Sequence, residues 1–290
     1  MSASDLSFDE IDYQTALEAF EIEDRTNTSF PTPHEDYRME VPALLDSLLA
    51  EARGIQVNAN NDSFRTYALS SILFFCLVEA KRHLKILTST SSKGSSSPTN
   101  HVLGAAKYIE CTIELHKEQS TARGMANYTF RTNQGGPTGI DMLVVQASRT
   151  GAVGLLDHLV VTLLGAVHRA KLLDGKDLVS VFAIATDSTN FRFWNINENS
   201  ELHQSRLYEW HKGDGPAILT HITRALHFSM AYQTLETAMG DTEESKPVDG
   251  LPKSDIENSH TKKKRKLEAI GGSLSDSGEK ENRLPLRDIT

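Results

Sequence analysis

At 290 residues with 39% hydrophobic content, the chain is long enough to bury one substantial core or two modest ones. Residues 1 to 40 hold eleven Asp/Glu against two Lys/Arg and so carry the whole net charge of -9, while the remaining 250 residues hold 28 of each sign. The first residues lack a basic region and an apolar run, and no stretch of about 18 uninterrupted apolar residues occurs. These features exclude a secretory signal and a membrane span and predict a soluble protein made in the cytosol.

Residues 1–37 are acidic, contain Pro31-Thr-Pro33 and lack a sustained apolar stripe, which predicts a disordered arm. The spacing of Leu44, Leu45, Leu48 and Leu49 predicts a short helix from Val41 to Ala52. A longer helix follows over 64–87, with Asp62 or Ser63 as its cap. A Ser-rich loop, 88–100, comes next. Strands are predicted at 108–115, 125–131 and 141–148, the last two joined by a hairpin through the glycines of 132–139. Residues 154–173 read as an amphipathic helix, with Leu155, Leu159, Leu163, Ala166, Ala170 and Leu173 inward and Asp157, His168 and Lys171 outward. The run Leu178–Ala185 suits a strand covered on both faces, and Phe191–Ile196 its hairpin partner. Asp214-Gly-Pro216 opens a final helix to about Met239 with Asp214 as cap. Residues 240–290 contain no aromatic residue and mix acidic with basic residues, so they are expected to form a disordered tail. The expected folded domain is therefore 38–239.

Three segments stand out within that domain. They are Gly124-Met-Ala-Asn127-Tyr128, then Leu143-Val-Val-Gln146-Ala-Ser148-Arg149-Thr-Gly-Ala-Val-Gly154, and Val181-Phe-Ala-Ile-Ala-Thr-Asp187-Ser-Thr-Asn-Phe-Arg-Phe193. Together with the order helix, three strands, helix, strand over residues 64 to about 235, they resemble the PD-(D/E)XK nuclease-like domains common in fungal genomes, some of them Crinkler-associated. The family patterns are G-x-x-D-Y, V-V-E-A-K-R and V-x-G-x-x-T-D-S-x-x-F-x-F. The resemblance implies a restriction-endonuclease-like α/β core, a mixed sheet flanked by helices.

In that family an Asp on the second strand and a Glu on the third bind Mg²⁺, and the Lys two residues on orients or activates the attacking water. Carried over, the acid position is Asn127, the Glu position Gln146 and the Lys position Ser148. All three are neutral here. A hard cation needs anionic oxygens, and a hydroxyl cannot replace a cation beside the scissile phosphate, so the expected loss of rate is many orders of magnitude. Asp141 lies on the same strand, but period-2 alternation puts 142, 144, 146 and 148 on one face and 141 on the other, so Asp157 and His158 in the following helix are the groups from which a site could be rebuilt, and they read first as polar-face residues.

Val78-Glu79-Ala80-Lys81-Arg82 also matches E-x-K, with Asp62 upstream, but its surroundings have helical spacing and it reads as the surface of a helix. Eleven histidines show no metal-ligand spacing, and Gly135-Gly136 is a turn rather than a phosphate loop. Trp194 and Trp210 read as packing residues, and Cys76 and Cys111 as reduced core thiols of an intracellular protein. In the tail, Lys262, Lys263, Lys264, Arg265 and Lys266 resemble a single-cluster nuclear import signal, which implies binding to importin-α. The expectation is a catalytically inactive nuclease-like protein of the nucleus, without a cofactor, binding nucleic acid or protein. Two alternatives stand beside it: an active Mg²⁺-dependent nuclease with a rearranged site, and a pure protein-interaction or effector-type module.

Overall fold

The structure, a computed structural model, describes residues 5–30, 38–59, 62–90, 100–115, 118–133, 141–148, 153–173 and 180–243. Residues 1–241 form one compact unit and 242–290 a second. The second unit lies outside the described residues beyond Glu243, and so does the basic run 262–266.

The chain is a mixed α/β protein. Its helices are α1 (Tyr13–Phe20), α2 (Ala43–Ala59), α3 (Asp62–Thr90), α4 (Asp157–Leu173) and α5 (Gly215–Glu243). Its strands are β1 (Asp5–Ser7), β2 (Glu23–Asp24), β3 (Asn100–Leu115), β4 (Glu118–Asn133), β5 (Asp141–Ala147), β6 (Val181–Thr186), β7 (Asn190–Ile196), β8 (Glu201–Gln204) and β9 (Tyr208–Glu209). They build one sheet of order β1-β4-β5-β6-β7-β8-β2, with β3 paired to β4 and β9 to β7. The pairs β1–β4, β5–β6 and β2–β8 are parallel and the rest antiparallel. The parallel step from β5 to β6 requires a crossover, and α4 supplies it.

Each face of the sheet carries a core. On one face α1 and α4 pack over Val144, Ala183, Ala185 and Trp194. On the other, α2, α3 and α5 pack over Leu143, Val145, Ile184, Phe191 and Phe193. Adjacent residues of β5 and β6 thus face opposite cores, which explains their nearly continuous apolar sequence. The thiols of Cys76 and Cys111 are both pushed up by burial, to about 12 and about 11.

Residues 5–30 are not a disordered arm. Ser7 and Glu10 form a capping box, Asp12 caps α1 by accepting the Thr15 N–H at 2.9 Å, and β1 pairs with Thr121–Arg123. The apolar residues of this segment are few, but Phe8, Ile11, Leu17, Phe20 and Ile22 are all buried. Two glycines receive them: a Cβ on Gly124 would overlap the Phe8 ring, and one on Gly165 would lie 2.5 Å from Phe20 Cδ2.

Helix α4 departs from its predicted amphipathic pattern. His168 and Lys171 are each 2% exposed, whereas Leu155 is 69% and Leu173 79% exposed. The helix lies between α1 and the sheet, so Leu159–His168 is buried on every side. Among the described residues, Val153–Leu173 alone has the length and apolar composition of a membrane span, and 61% of its apolar window is buried inside the fold. Residues 88–90 of the predicted Ser-rich loop belong to α3 and Asn100 to β3, while 91–99 lie outside the described residues. Asp214 accepts the Ile218 N–H through its backbone carbonyl, while its carboxylate pairs with Arg206 at 2.6 Å instead of capping α5.

Candidate functional site

The site is organised by an irregularity in β4. The β3–β4 ladder pairs Lys107 with Ala126 and Ala105 with Tyr128 but omits the step between, Ala106 and Asn127. Ala106 has φ 51°, a left-handed conformation that a Cβ disfavours. The strand rotates at this point: Ala122 and Ala126 join the α1/α4 core, whereas Tyr128 and Phe130 join the α3/α5 core. A regular strand would keep these even-numbered residues on one face.

Beyond the kink β4 pairs with β5, Tyr128 opposite Val145. Asn127, one step further, closes that ladder with its side chain: Oδ1 accepts the Ala147 N–H at 2.6 Å. Ser148, next along β5, donates its N–H to the Thr186 carbonyl at 2.6 Å. Asn127 and Ser148 therefore meet at the end of the sheet, where they line a pocket of about 240 Å³ with Arg65 and Thr66 of α3 and Ser188 of the β6–β7 turn. Ser188, itself at φ 77°, donates Oγ to the Arg65 carbonyl at 3.0 Å and ties the turn to α3.

Gln146 is not among the residues lining this pocket. Its cross-strand row runs through Ala185 to Arg192 on the α4 face, where Arg192 Nη1 donates to Asp157 Oδ2 at 2.7 Å. Burial raises the Asp157 carboxyl above its usual range, opposed by Arg192. Gln146 Oε1, Asp157 Oδ1 and Arg192 Nε are buried without a hydrogen-bond partner. The sheet thus separates the Gln146 side chain from the pocket that Asn127 and Ser148 share.

These residues do not fit a divalent cation. Among the described residues lining the pocket there is no carboxylate, and Arg65 is the only charged group. The Asn127 oxygen accepts the Ala147 N–H and carries no charge to offer a cation. Asp157 is committed to Arg192, and Asp187 accepts from the N–H and side chain of both Thr189 and Asn190 in its own turn. No group of three or more His, Cys, Asp or Glu able to hold a metal occurs among the described residues.

The second E-x-K match lies within α3, where Glu79 sits 3.7 Å from Arg82, its partner one turn on. Trp194 and Trp210 are buried at 1% and 6% exposure. The sequence reading overlooked Arg65 and Ser188, because α3 and the β6–β7 turn meet the pocket only through the tertiary fold. No protein-family model matches the chain, and a search of curated proteins finds no match.

Proposed function

We propose that this chain is a pseudo-nuclease: a PD-(D/E)XK-like domain with a restriction-endonuclease-like core that binds nucleic acid in the nucleus without metal-dependent cleavage. The observation that carries this reading is the state of Asn127. At the position where the resemblance calls for a metal-binding acid stands a neutral amide, and its oxygen serves as a backbone bracket to Ala147. Ser148 and Gln146 are likewise neutral, and the pocket offers the Arg65 guanidinium, which suits a phosphate oxygen. The five cations of 262–266 support import through importin-α.

The test is a titration of the full chain with labelled single- and double-stranded DNA and RNA at several salt concentrations, in Mg²⁺ and in Mn²⁺. Binding that weakens linearly in log salt, with substrate left intact, is the expected result. A fluorescent fusion should also leave the nucleus when Lys263, Lys264 and Arg265 become Ala. Metal-dependent cleavage would contradict the pseudo-nuclease reading, and absence of nucleic-acid binding would turn it toward a protein-interaction module.

A further inference from the structure

A second cavity, of about 270 Å³, lies between β6/β7 and α5, on the α3/α5 face of the sheet. Phe182 and Phe193 come from the strands, His221 and Phe228 from α5, and Phe30 from the segment after β2. Their rings are mutually ordered. Phe182 and Phe228 meet edge to face at 5.5 Å, Phe30 and His221 edge to face at 5.6 Å, and His221 stacks on Phe193 at 4.8 Å. His221 is further fixed by a 2.9 Å hydrogen bond between Nε2 and the Tyr208 hydroxyl.

The polar lining comes from Ser180, Asn195, Asn197, exposed Glu198 and half-buried Arg224, with Ser180 Oγ donating to Glu198 at 3.3 Å. An apolar pocket with a few placed polar groups is the usual form of a small-molecule site, and this volume lies just below the usual range for such sites. Aromatic side chains favour a flat aromatic guest, which they can meet edge to face or offset-stacked. A guanidinium has five donors, so Arg224 can engage a guest as well as its neighbours in the fold.

We infer that this cavity binds a small planar aromatic acid of one or two rings, with its rings among Phe182, Phe193, His221 and Phe228 and its carboxylate toward Arg224. The site lies apart from Asn127 and Ser148 and does not depend on the pseudo-nuclease reading.

The experiment is calorimetric titration of the full chain at neutral pH with indole-3-carboxylate and, separately, with indole. One saturable site is expected for the acid, with indole about tenfold weaker, the difference that one charge-assisted hydrogen bond supplies. Arg224→Gln should weaken the acid to the level of indole and leave indole unchanged. Ala225→Leu places a larger side chain in the cavity and should abolish both. Phe228→Ala, at a position 39% exposed, should weaken both while lowering the thermal midpoint only slightly, through loss of the Phe182 contact. Absence of saturable binding, or binding of full strength in both Ala225→Leu and Phe228→Ala, would overturn the inference.

Discussion

Replacing Phe8 with Ala should destabilise the protein by about 3–5 kcal/mol, the range for emptying a fully buried aromatic site. Phe8 is 0% exposed, and its ring lies directly on Gly124, where no side chain exists to move into the space. The loss should extend beyond the cavity itself. Phe8 holds β1 against β4, and α1 then carries Phe20 onto Gly165 of the crossover helix. Urea unfolding of wild type and variant measures the effect. A change under about 1 kcal/mol would mean that the acidic N-terminal segment is not docked as described.

The second large effect is with pH. Burial pushes His168 down to about 4, helped by the charge of Lys171, and burial likewise pushes His221 down to about 4, helped by Arg224 and Arg206. In the unfolded chain both imidazoles take up a proton near 6.5, so between about 6.5 and 4 the unfolded state binds more protons than the native state. Stability is therefore fully present above pH 6.5 and is lost as pH falls toward 4, by roughly 3 kcal/mol for each histidine at 1.4 kcal/mol per pH unit. Asp157, raised by burial, acts in the opposite direction, contributing stability at low pH that disappears as pH rises, and so offsets part of the loss. Unfolding free energies at pH 7, 5.5 and 4.5 should fall steeply, and the slope should flatten in His168→Gln and His221→Asn. A flat profile in the wild type would contradict the burial of both rings.

The parts of this fold legible in the sequence are those in which one strong local pattern agrees with the tertiary outcome. The apolar run of β6 lies between two cores, and Ile72, Cys76 and their neighbours make one long helix of α3. The N-terminal segment was obscured by its charge. Eleven acids conceal five apolar anchors, although Ser7 with Glu10, and Asp12 ahead of Tyr13, are cap signals that sequence alone displays. Helix α4 differs from the amphipathic expectation because its residues 159–167 are apolar except for Thr162 and Gly165. Such a helix is buried all round, and it carries His168 and Lys171 inside with it.

For the candidate site, the positions of Asn127, Gln146 and Ser148 along the chain were legible, but their division between the two faces of the sheet was not. The turn of Asn127 toward the α3 face accompanies the left-handed Ala106 and the missed pairing beside it, a backbone event without a residue signature, and Ser148 lies just past the end of β5, where strand alternation no longer governs it. Glycine is the usual marker of positive φ, and here the position is alanine.

The most direct test of the emptied site is calorimetric titration of Mg²⁺ and Mn²⁺ into the full chain and into a variant combining Asn127→Asp, Gln146→Glu and Ser148→Lys. An Asp at 127 can still accept the Ala147 N–H while supplying the charge that Asn127 lacks. The predicted result is no saturable metal binding by the wild type and none by the triple variant either, because residue 146 lies across the sheet from residue 127. Saturable binding by the wild type that disappears in Gln146→Ala would contradict it.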